Sequence, residues 1–342
     1  MKRTLIALGV GFGLVGATAI ATPAQAAVVA TVTLAGTPGA PQIATFWLAN
    51  GGANLKNATP YSVRTSVSVT DATTAPVPDT KPGSVPPLSP DTGEAPTTSG
   101  KVFFVGADGQ PHWCTGTAVQ GQYRNLVATA GHCVLDIDGA SATQSQVVFV
   151  PGYSDGTAPK GLYVGKQAFV HEEFSLYDDL ERDYAFMNVY SGVVADSAGV
   201  LSNVGRLADN TGAQGFAWGQ PLPPSLDVFG YPAGPHPDGT LPYTGQTLER
   251  STGAASGLAA PELSAEWLLG AESPFTGAGS LGSAWLLRYD ADRGLGHLNG
   301  ITMSVSDTDA DNRYDTGVSP YFDSQTATVY KAAAVAWTGR IV

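Results

Sequence analysis

Short apolar runs recur along this chain at intervals too small for helices. After residue 100 they read KVFFV, TGTAV, NLVAT, QVVFV, YAFMNV, LDVFG, AWLLR and NGITMSV, each bounded by glycine, proline or polar turns. Runs of that length form strands, and no helical period lies between them to supply crossovers. The expected fold class is therefore all-β, a barrel or a sandwich. Two alternating stretches, VVATVTLA and YSVRTSVSV, fall within residues 27–70 and also suggest strands, in a segment too small for a core of its own. That segment reads as an N-terminal extension or pro-segment. Only the end of the chain breaks the pattern. Residues 325–337, with Ser324 as N-cap and Val329, Ala333 and Trp337 on one stripe, predict a terminal helix packed on the body.

Between the extension and the main body, residues 71–100 read DATTAPVPDTKPGSVPPLSPDTGEAPTTSG. Such a stretch has too few large apolar side chains to offset the entropy of ordering it, so an extended linker is expected. The domain organisation that results is a leader at 1–26, the extension at 27–70, the linker at 71–100 and a main domain at 101–342. Within the main domain the halves fall at about 101–200 and 201–325.

The leader changes where the protein is expected to be found. It has two cations, an apolar run from Leu5 to Ile20 and an Ala24-Gln25-Ala26 ending, which together form an export signal cut after Ala26. The run is short for a membrane anchor. Export makes the mature chain secreted and leaves 15 cations against 29 acids, a net charge of −14. A balance that acidic repels phosphate backbones and anionic lipid, which excludes nucleic acid and membrane surfaces as partners. In an oxidising compartment Cys114 and Cys133, the chain's two cysteines, are expected to pair. Closing that loop contributes about 3 kcal/mol by chain entropy.

Chemistry concentrates at NLVATAGHCV, where His132 ends an apolar strand beside Cys133. A histidine held rigidly, with an ordinary pKa near 6.5, suits general-base work. CTGTAV at Cys114, VATAGHC, FVPGYSDGTAPKG, RDYAFMNV, FGYPAGPHPDG and the glycine/serine turn before WLL follow in order over residues 101–342. In these motifs the chain resembles the trypsin-like serine peptidases of the chymotrypsin fold, especially the secreted bacterial branch that includes the glutamyl endopeptidases. The resemblance implies two six-stranded antiparallel β-barrels with a C-terminal helix. It also implies a monomer that needs no cofactor or metal and acts on peptides or proteins. His132 matches the family's base and Asp183 its orienting acid, opening a strand whose Ala185, Met187 and Val189 face one side.

The nucleophile is where the resemblance strains. Laid without a gap on G-x-S-G-G-P or, in the glutamyl branch, G-N-S-G-S-P, GSLGSA matches at Gly279, Gly282 and Ser283, and the serine position falls on Leu281. Laid on T-G-G-S-S from Thr276, the serine falls on Ser280. The oxyanion hole takes backbone N–H groups from the nucleophile and from the residue two before it, which is Gly279 in the first register and Ala278 in the second. Glycine suits a backbone that must bend close to substrate, so the first register is preferred and an inactive or impaired protein expected, with an active enzyme using Ser280 as the alternative. The pocket floor falls on Phe275 or Pro274, with no acid to select Lys or Arg, and His297 does not align with the glutamate-selecting histidine. Thr244 and Ser273 stand where relatives carry a second disulfide. Asp307, Asp309 and Asp311 alternate like a calcium loop but lack its glycine and terminal acid, which favours a solvated acidic loop.

Overall fold

The computed structural model describes residues 28–73, 77, 81–136 and 142–342, so the expected leader lies outside the described residues. Six antiparallel strands close into a barrel. In spatial order they are Ser99–Val105, Pro111–Val119, Leu126–Thr129, Ala185–Val189, Tyr163–His171 and Ser145–Pro151, the last pairing back to the first. Closure satisfies both edges, which an open sheet of this length would leave exposed. The apolar runs fill its interior, with Val102, Phe104, Val127, Phe149 and Met187 all buried.

The second half is a half-barrel made of two sheets. One has the order Glu249–Gly253, Leu226–Gly230, Ala284–Asp290, Leu295–Ile301 and Gly215–Trp218. The other has the order Ser304–Ser306, Thr316–Pro320, Ala265–Glu272 and Ala255–Ala260. The terminal helix, Ser324–Ala334, joins the two halves. Its Tyr330 ring stacks on Phe216 at 4.1 Å and meets Phe186 at 5.5 Å. Asp323 rather than Ser324 caps the helix, because its carboxylate accepts from the amides of Gln325 and Thr326 while Thr326 closes the reciprocal bond. The helix stops before Trp337, which is 65% exposed and leaves the stripe formed by the buried Val329 and Ala333.

The N-terminal residues are woven into both halves. Val29–Thr33 pairs with the end of Tyr163–His171. Ala40–Asn57 is a helix kinked at Ala49 to Gly52, whose wholly buried Trp47 donates to the Gln146 carbonyl at 2.7 Å. The stretch expected to be a linker also contributes: Gly83–Val85 forms the edge strand beside Gly215–Trp218, Leu88 bridges to Ala213, and Thr70–Asp71 forms the edge beside Ala255–Ala260. Main-chain hydrogen bonds, which need no large side chain, do the ordering there.

Candidate functional site

His132 and Asp183 meet because their strands are neighbours. Leu126–Thr129 pairs with Ala185–Val189, aligning Thr129 with Ala185, and each site residue lies just beyond that pairing. His132 sits in the single turn Gly131–Cys133, tied by a disulfide from Cys133 to Cys114 on Pro111–Val119. Asp183 follows the turn Leu180–Arg182. Both side chains are 1% exposed. The Asp183 carboxylate accepts from the His132 main-chain N–H at 3.0 Å and meets its Nδ1 at 2.5 Å. With a carboxylate as partner the ring proton sits on Nδ1, and Nε2 presents its lone pair.

The strand following Asp183 is buried on both faces rather than one. Phe186 and Asn188 are as enclosed as Ala185, Met187 and Val189, because the terminal helix covers the outer side and its Ala333 carbonyl accepts from Asn188 Nδ2.

The turn from Thr276 to Ser283 keeps a strict backbone. Gly279 and Gly282 have φ of +79° and +85°. A Cβ on Gly279 would come within 2.4 Å of Trp113 and the Tyr231 carbonyl, and one on Gly282 within 2.0 Å of the Thr115 carbonyl. Both positions therefore require glycine. Thr115 clamps the turn between them: its N–H donates to the Leu281 carbonyl at 2.8 Å and its hydroxyl to the Gly279 carbonyl at 2.8 Å. Thr115 follows Cys114, whose disulfide leads to His132's neighbour, so position 281 is fastened to the same framework as the histidine.

Leu281 is fully buried in the apolar cluster that contains Ala130 and Cys133. Ser280 is also fully buried, and its hydroxyl has no hydrogen-bond partner. Neither has His132 Nε2, so the two are not bonded to each other. The Ser283 hydroxyl is committed to the Ser280 carbonyl at 2.6 Å. The Gly279 N–H donates to the carbonyl of Tyr61 at 3.4 Å.

A cavity of about 520 Å³ opens at His132 and Asp183, lined by Met303, Ser304 and Ser306 together with Arg64, Ser66 and Val67. Sequence reasoning does not single out residues 61–69 as lining the site; their alternation suggests a strand, whereas the structure bridges them only at Ser66. Phe275 is buried against Trp285 and Tyr321 and places no charge there. His297 lies on Leu295–Ile301, its basicity lowered by burial. The carboxylates of Asp307, Asp309 and Asp315, with Asp315 in place of Asp311, come within 4.8 Å of one another. Asp315 accepts from Thr308 and Asp311 from the Arg313 amide, bonds that hold the loop's own turns.

Among the described residues no helix is long and apolar enough to cross a membrane. No family model and no curated protein matches the chain. Solved structures do. The thermostable serine protease AL20 from an extremophilic microorganism is 26% identical with a TM-score of 0.57, over 70% of this chain and 98% of that one. The protease Anisep from Arthrobacter nicotinovorans is 25% identical with a TM-score of 0.57, over 73% and 100%. A Glu endopeptidase, at 15% identity and a TM-score of 0.50 over 80% and 100%, shares the fold. The closed barrel, the disulfide framework and the likeness to these two proteases support a chymotrypsin fold of the trypsin-like serine peptidase type.

Proposed function

We propose that this protein is a secreted peptidase homologue that keeps the histidine–aspartate pair and the peptide cleft but has lost the nucleophile. It would hold an extended peptide without cleaving it. One observation carries the proposal: the clamp between Thr115 and the Leu281 carbonyl, with obligatory glycines at 279 and 282, supports residue 281 as the nucleophile position. Leucine has no atom that can attack a carbonyl. His132 would be the base and Asp183 its orienter, with the amide of Gly279 the oxyanion donor. The alternative, an active endopeptidase using Ser280, needs a hydrogen bond from Ser280 to His132, and both atoms lie buried without one.

Exposure of the purified chain to a fluorophosphonate probe, with the modified peptide read by mass spectrometry, tests this. The native chain is expected to carry no label and Leu281→Ser to carry it at position 281. A label on native Ser280 would overturn the reading.

A further inference from the structure

Residues 61–71 run along the cavity at His132, turning at Val63 and Arg64, bridging at Ser66 and forming a strand at Thr70–Asp71. Tyr61, Val63, Thr65, Val67 and Val69 turn inward, while Ser62, Arg64, Ser66, Ser68 and Thr70 face solvent. The start is fixed on the closed barrel, where the Tyr61 N–H donates to the Trp113 carbonyl at 2.9 Å and the Tyr61 carbonyl takes the Gly279 N–H. The middle runs parallel to Ser304–Ser306: Val305 N–H donates to the Thr65 carbonyl and Val67 N–H to the Val305 carbonyl, each at 3.0 Å. The end is fixed on the half-barrel, with Thr70 and Asp71 paired to Ala259 and Leu258. Tyr61's ring lies over His132, centroids 6.1 Å apart and planes 34° apart. Arg64 has a φ of +49°, a conformation that side-chain-bearing residues resist, so the segment is bent against its own preference where it enters the cleft.

These contacts are those of a peptide adding a strand to a sheet edge: main-chain bonds supply affinity and alternate side chains supply selectivity. We propose that residues 61–71 are the resident ligand of the cleft, a strap in cis that covers His132 and the Gly279 amide. We assign to the cleft, once the strap lifts, an extended peptide with an aromatic residue and small β-branched residues at alternate positions. The proposal rests on the preceding reading only in taking the cleft as a peptide site. A tethered occupant acts at an effective concentration on the order of millimolar, so a free peptide at micromolar concentration does not displace it.

The test uses the whole chain and two readouts that need no nucleophile. Diethyl pyrocarbonate footprinting by mass spectrometry reads the cover over His132, and fluorescence anisotropy with labelled YSVRTSVSV reads peptide uptake. In the native chain His132 is expected to be protected and the peptide not to bind at 100-fold lower than millimolar concentration, about 10 μM. Val67→Pro deletes the donor to Val305 and is expected to raise His132 modification about tenfold or more, with the other histidines unchanged, and to admit the peptide. If circular dichroism shows that variant unfolded, the double substitution Ser66→Gly, Ser68→Gly at exposed positions is expected to raise modification about fivefold. Unchanged protection in a folded variant overturns the strap. Raised reactivity without peptide uptake overturns the peptide-site reading on which it rests.

Discussion

The histidine and the glycine/serine turn at 276–283 differ in how their side chains are engaged. At His132 both carboxylate oxygens of Asp183 are engaged, one by the main chain and one by Nδ1. Around position 281 the backbone is held just as firmly by Thr115, yet Leu281 sinks into the apolar cluster and the neighbouring serine hydroxyl bonds to nothing. A polar pair inside a barrel is retained for stability whether or not it does chemistry, because losing either member leaves buried groups unsatisfied. A nucleophile has no such structural hold.

Substitutions can break this contrast, the largest effect coming from the histidine side. Asp183→Ala leaves a buried N–H of the main chain and one of the ring unpaired, and is expected to cost about 3–5 kcal/mol in urea unfolding. A cost under about 1 kcal/mol would mean that the pair is not structural. Leu281→Ala empties a fully buried site and is expected to cost about 2–4 kcal/mol, whereas Ser280→Ala removes an unbonded hydroxyl and is expected to change stability by less than about 1 kcal/mol. If Ser280→Ala proved the more damaging of the two, the serine would have a partner and the comparison would fail.

A smaller effect sharpens the picture beneath the turn. Lys101 lies 1% exposed, with Nζ 3.5 Å from the Trp113 ring centroid and 4.2 Å from that of Tyr153, and Trp113 in turn supports Gly279. Burial pushes its ammonium down to about 7, while the aromatic faces favour the cation. Between pH 7 and the ordinary value of 10.5 the unfolded chain binds the proton and the folded chain does not, so folding stability rises with pH across that window, by up to about 1.4 kcal/mol per unit. Lys101→Met is expected to flatten the rise and to add about 1–2 kcal/mol at pH 7, read as melting temperature against pH.

Much of this was legible in the residues. The run NLVATAGHCV announces a strand ending at a histidine, and the separation of two cysteines brings that strand's end to its neighbour. Ser280, Leu281 and their two registers were equally visible, because a turn of glycines carries its own spacing. What stayed hidden depends on distant partners. YSVRTSVSV reads as a strand, but nothing within it names Val305 as its neighbour or His132 as what Tyr61 covers. Gly83–Val85 looks like linker because its order comes from main-chain bonds to Phe216–Trp218, and main-chain bonding leaves no trace in composition. The helix Ala40–Asn57 escaped notice because Asn50, Gly51 and Gly52 interrupt its period with left-handed backbone.

The woven N-terminus has a kinetic consequence. Val29–Thr33 is synthesised early, yet its sheet partner ends at His171; Thr70–Asp71 waits for Leu258 and Ala259, and Gly83–Val85 for Phe216–Trp218. Contacts this distant carry the entropy of closing long loops before they return any stability, which places the chain among slow folders. Until those segments dock, the edges at Ala255–Ala260 and Gly215–Trp218 stand unpaired and open to other chains. Segments near the N-terminus thus wait for sheet partners that lie far along the chain.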